Sequence, residues 1–161
     1  MKKITANPDR IELDEAYMQM AEVWAKRSKA NRLQVGALIV KDQRIISDGY
    51  NGLPSGVQDD VCEFWEHDEI GDTYHLRTKP EVLHGESNAL LKISAAGGTG
   101  AEGATLYVTT SPCPECAKLI RQAKIARVVY RNEYRNLEGI ELLKRLGVTV
   151  QKLVYNSREL K

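Results

Sequence analysis

The strongest constraint on how this chain folds is the alternation of short apolar segments with amphipathic ones after residue 86. Residues 86–96 place Ala89, Leu90, Ile93 and Ala96 at helical spacing, and Gly97-Gly98 stops that helix. Residues 104–109 then read as a strand, 113–123 as a helix with Pro112 at its mouth, and 127–130 as a strand. A helix over 137–146, ended by Gly147, and a strand over 148–154 complete the pattern. Strand-helix-strand-helix-strand in this order implies right-handed crossovers, which make the three strands parallel.

The first half adds to that core. Residues 12–29 carry Leu13, Ala16, Tyr17, Met20, Val23 and Trp24 at spacings of three and four, an amphipathic helix whose apolar stripe is expected to be core. Residues 35–40 and 44–50 are apolar segments separated by Lys41-Asp42-Gln43, a β-hairpin. The expected fold is therefore α/β, a three-layer α/β/α sandwich with a mixed five-stranded sheet. Gly49-Tyr50-Asn51-Gly52-Leu53-Pro54-Ser55-Gly56 reads as a structured loop. Residues 57–83 show no clear period and are expected to be an irregular insertion with room for a short helix.

At 161 residues the chain suits one domain, 1–161. No apolar run approaches membrane-spanning length, and Lys2 and Lys3 are not followed by an apolar segment, so a soluble protein in the cytoplasm is expected. The net charge of +1, from 23 basic and 22 acidic side chains, is a poor footprint for a partner of polymeric DNA or RNA. A small molecule is the better substrate class. Three cysteines, Cys62, Cys113 and Cys116, are too few and too oddly numbered for a disulfide framework, which raises metal binding.

His84-Gly85-Glu86 opens one expected helix and Pro112-Cys113-Pro114-Glu115-Cys116 opens another. Cysteines three apart on a first helical turn point the same way, and a histidine from a second helix completes three ligands of a tetrahedral Zn2+, leaving one position for water. The helix N-termini favour thiolates. Glu86, beside the metal but not needed as a ligand, is suited to take a proton from the activated water and deliver it to a substrate. Alone, His84 reads equally as an ordinary polar residue, and a lone Cys-x-x-Cys as a redox pair or half of a structural zinc site. The two motifs together, each opening a helix of an α/β pattern, form the signature of zinc deaminases. A non-catalytic zinc module remains the rival from another class, and a structural metal gives no reason for Glu86.

At these residues the chain resembles the cytidine deaminase superfamily and, more closely, its deoxycytidylate deaminase branch. The resemblance runs through Arg27-Ser28-Lys29, Gln34-Val35-Gly36-Ala37, the 49–56 loop, His84-Gly85-Glu86-Ser87-Asn88-Ala89, residues 103–109, Ser111-Pro112-Cys113-Pro114-Glu115-Cys116-Ala117-Lys118, and Val128-Val129-Tyr130 followed by Tyr134. It implies hydrolysis of dCMP to dUMP and ammonia, by a hexamer that dCTP activates and dTTP inhibits, with magnesium accompanying the triphosphate. It also implies that the Gly85 N–H meets the base, the Ser111 carbonyl the amino group and Asn51 the sugar, with Val35 packing on the ring. Asn51 reads equally as a turn former and Val35 as core. Tyr134 is a further candidate because loops past strand ends of an open α/β sheet reach the ligand crevice.

Lys29, Gly52 and Glu63 are the candidates for an effector site. Arg131, Arg135 and Lys118 are candidates for the phosphate, and sequence does not rank them. Cys62, His67 and His75 could form a second, structural zinc site with Glu63, although their spacing matches no compact motif. The branch usually has alanine where this chain has Gly85, a substitution that loosens the helix's first turn. Deaminases of cytidine, dCTP or tRNA adenosine remain alternatives; the charge balance argues against the polymer and the Asn51 loop against the nucleoside.

Overall fold

The computed structural model describes residues 6–97 and 100–155. Helix α1 (Leu13–Ala25) precedes a hairpin of β1 (Gly36–Lys41) and β2 (Arg44–Tyr50). Its two turn residues, Asp42 and Gln43, have φ of +50° and +58°, the double left-handed geometry of the tightest hairpin turns. Then come β3 (Glu63–Asp68), β4 (Thr73–Thr78), α2 (Gly85–Ala95), β5 (Thr105–Thr110), α3 (Pro114–Gln122), β6 (Arg127–Asn132), α4 (Glu138–Arg145) and β7 (Thr149–Lys152).

The main sheet has the order β2-β1-β5-β6-β7, with β1 antiparallel to β2 and β5, and β5, β6 and β7 parallel. This is the mixed five-stranded sheet that the alternation predicts. Strand residues alternate between faces. Ala37, Ile39, Leu106, Val108 and Val128 pack with Ala89 and Ile93 of α2, Ala117 and Ile120 of α3, and Ile140 and Leu143 of α4. Leu38, Val40, Tyr107 and Val129 turn the other way, onto Tyr17, Met18 and Ala21 of α1. Helices therefore cover both faces.

Two expectations fail. Helix α1 ends at Ala25, and its buried face is Tyr17, Met18, Ala21 and Ala25, while Leu13, Met20 and Val23 are about half exposed. The expected stripe was out of phase: Tyr17 and Met18 pack on the sheet together with Ala21, whose carbonyl oxygen would lie 2.0 Å from a Cβ at Gly36. The 57–83 insertion is neither irregular nor helical. It folds as a second antiparallel ribbon, with Glu63 opposite Thr78 and Asp68 opposite Thr73. Trp65 and Tyr74 are each 65% exposed and Ile70 fully so, so no buried face stamps a period of two on the sequence. Among the described residues, neither ribbon strand touches any other helix or strand. A satellite cluster of Ala30, Cys62 and Val82, with Leu53 against it, anchors its base.

Candidate active site

Two helix N-termini bring the chemistry together. His84 is the N-cap of α2 and Cys113 the N-cap of α3, with Pro114 beginning that helix and Cys116 in its first turn. Glycines set the approach. A Cβ at Gly49 in β2 would lie 2.3 Å from the Gly85 carbonyl oxygen, so only glycine lets the first turn of α2 rest on the sheet. A Cβ at Gly139 in α4 would lie 2.0 Å from the Pro112 carbonyl oxygen, so α4 buttresses the Cys113 loop backbone to backbone.

The His84 Nδ1 lies 3.5 Å from the Cys113 Sγ and 3.3 Å from the Cys116 Sγ, and all three atoms fall within 4.8 Å of one another. Tetrahedral zinc with ordinary Zn–N and Zn–S bonds needs N···S separations of about 3.5 Å, so the donor set fits that ion. The Cys116 backbone N–H donates to the Cys113 Sγ at 3.5 Å. A hydrogen bond from Cys116, supported by His84, holds the Cys113 thiol down at about 3, while the Cys113 sulfur and burial push Cys116 up. Cys113 in turn raises His84. Glu86, 4% exposed, is raised by desolvation to about 7.

His84, Glu86 and Cys113 line a cavity of about 640 Å³. Its walls include Lys26, Ala30, Arg32, Leu33, Val35, Asn51, Glu63, Thr78, Gly85, Thr109, Ser111, Asn132, Tyr134 and Arg135. The charges are lopsided. Of the wall carboxylates other than Glu86, Glu22 pairs with Arg131, Glu133 with Lys152, and Glu63 accepts from backbone N–H groups. Lys26, Arg32 and Arg135 have no carboxylate partner among the described residues; Arg32 donates to the Thr78 Oγ1 at 3.1 Å and Arg135 to the Tyr134 hydroxyl at 3.4 Å. Three uncompensated cations remain for an anionic ligand.

The chain matches the cytidine and deoxycytidylate deaminase zinc-binding region over residues 11–132. It belongs to that family. The human deoxycytidylate deaminase is 37% identical over 153 residues, covering 91% of this chain and 82% of the relative. The deoxycytidylate deaminase of Enterobacteria phage T2 is 36% identical, covering 83% and 88%. The crystal structure of the cyanophage S-TIM5 dCMP deaminase in complex with dCMP and dUMP superposes with a TM-score of 0.77 at 42% identity, covering 92% of this chain and all of that one. Family membership accounts for the zinc-type donor set and for the fold.

The remaining candidates are placed unevenly. Val35, Asn51, Gly85, Ser111 and Tyr134 all line the cavity. Asn51 is already occupied, its Oδ1 accepting from the Val35 N–H and its Nδ2 donating to the Leu33 carbonyl, both at 2.8 Å. The Ser111 Oγ accepts from the Tyr134 N–H at 2.7 Å, seating the loop that carries Tyr134. Of the phosphate candidates only Arg135 reaches the cavity. Arg131 donates to the Leu153 and Tyr155 carbonyls and stacks on the Tyr155 ring, and Lys118 pairs with Glu115. Lys26 and Arg32 were missed; nothing in sequence separates them from other cations of an exposed loop.

Of the effector candidates, Glu63 lines the cavity, Lys29 pairs with Asp60 at the surface, and Gly52 bridges backbone to backbone with Leu83. The second zinc site does not assemble. Cys62 is buried in the satellite cluster with its thiol pushed up by burial, while His67 and His75 project from opposite faces of the ribbon, toward Tyr74 and Thr73. Only His84, Cys113 and Cys116 converge as a metal-ligand group among the described residues.

Proposed function

We propose that this protein deaminates dCMP to dUMP with release of ammonia. The observation that carries the reading is a single cavity lined by His84, Cys113 and the buried Glu86 together with three cations that lack carboxylate partners among the described residues. A nucleoside needs no such cations; a nucleotide does. Zinc on His84, Cys113 and Cys116 would supply the Lewis acidity that makes water nucleophilic near neutral pH. Glu86 takes the proton as the water oxygen bonds to C4 and delivers it to N3. Glu86 then takes the remaining proton from the C4 hydroxyl and passes it to the amino group, the C4–N bond breaks as the C4 carbonyl forms, and ammonia leaves. The Gly85 N–H, the Ser111 carbonyl, Asn51 and Val35 are assigned to base and sugar by resemblance, and Tyr134 by its place in a loop past a strand end.

The proposal extends to one deaminase domain over 1–161 that works in the cytoplasm, a hexameric assembly, and control by dCTP and dTTP with Mg2+ through Lys29, Gly52 and Glu63. No described helix is long and apolar enough to cross a membrane. Ammonia release from dCMP, cytidine, dCTP and a tRNA adenosine substrate tests the substrate. dCMP should be turned over fastest, and faster turnover of cytidine would overturn the assignment. Titrating dCTP and dTTP with Mg2+ at subsaturating dCMP tests the control, which an unchanged rate excludes.

A further inference from the structure

We infer that Glu63 is a positioning residue for the nucleotide cavity, acting through the loop of residues 30–35. Glu63 is 3% exposed at the base of the ribbon. Its Oε1 accepts from the Asn31 N–H at 2.8 Å and the Arg32 N–H at 3.1 Å, and its Oε2 from the Asn31 Nδ2 at 3.2 Å. Directly across the ribbon, Thr78 takes the Arg32 guanidinium. The ribbon base therefore grips residue 32 by both backbone and side chain. Asn51 grips the other end of the same loop, at Leu33 and Val35. Between the two grips lie Arg32, Leu33, Gln34 and Val35, all of which line the cavity. A buried carboxylate whose oxygens are spent on a loop, with no cation paired to it among the described residues, fixes that loop's path.

The inference rests on the proposed function, and wild-type turnover of the substrate panel tests that reading separately. The variants are then compared on whichever substrate the wild type deaminates. Glu63→Ala should raise KM about tenfold, the equivalent of one charge-assisted hydrogen bond taken from the order of the loop that lines the cavity. kcat should stay within about twofold, because the loop binds ground state and transition state alike. Glu63→Gln keeps the Oε1 acceptor and should restore KM to within about threefold of wild type. Zinc content and thermal midpoint certify folding, and if Glu63→Ala does not fold, Glu63→Asp, whose carboxylate falls one methylene short, should still raise KM. An unchanged KM in a folded, zinc-loaded Ala or Asp variant overturns the inference. So does a Gln variant as impaired as Ala, or a fall confined to kcat.

Discussion

Burial disfavours the charge of Glu86 and raises its carboxyl to about 7, and in the proposed reaction a carboxyl that exchanges its proton near neutrality is what a catalytic metal centre requires and a structural one does not. Glu86→Gln keeps shape and removes proton transfer. Atomic absorption should show zinc retained, and kcat should fall by at least about 10²-fold to 10⁴-fold; full activity would sink the mechanism. Gly85 is a gentler case. A Cβ there would meet the Val35 carbonyl oxygen at 3.1 Å, a contact relieved by a shift of a few tenths of an ångström. Alanine gains up to about 1 kcal/mol in helical preference over glycine. Gly85→Ala should thus leave thermal stability nearly unchanged, while any displacement of Val35 appears in KM. These residues were legible in sequence because their spacing is local: His84 with Glu86, and Cys113 with Cys116. Lys26 and Arg32 were not, since what distinguishes them is that they line the cavity with no partner carboxylate among the described residues, a fact of three-dimensional neighbours.

Between elements, polar clamps hold what packing alone leaves free. Arg127 of β6 donates to both Asp14 oxygens on α1, at 3.0 and 2.5 Å, and the Tyr107 hydroxyl of β5 donates to the same carboxylate. Arg127 holds the Asp14 carboxyl below its ordinary value of 3.8. Its stabilisation is therefore full above that value and disappears as pH falls through the lower folded value. Asp14→Asn should lower stability by about 1.5–3 kcal/mol at pH 7, in denaturant titrations whose difference from wild type closes in acid. Gly139→Ala drives α4 off the Pro112 carbonyl and should reduce both stability and zinc retention, measured by melting and by competition with a chelator. The parallel strands and their helices were legible because each covers a core face and carries its period. The phase of α1 was not, because apolar residues run nearly all round the helix, so that Leu13, Met20 and Val23 compete in sequence with the buried face of Tyr17, Met18, Ala21 and Ala25. The ribbon was not, because exposure on both faces erases alternation.

For the molecule as a whole, the ribbon stands apart from the sandwich, and two strands without a covering layer are marginal in water. Amide exchange should be fast across residues 67–74 and slow in β5 and β6, with protection in the ribbon rising only toward Glu63 and Thr78; uniform protection would mean that its faces are covered in solution. The ribbon also leaves and re-enters the body at one place, where the Lys79 N–H bonds the Cys62 carbonyl at 2.9 Å. Descent with modification can therefore lengthen, trim or exchange its outer part as a cassette, without re-threading the sandwich. The seam that selection must keep is the base, because there a peripheral insertion meets the wall of the cavity.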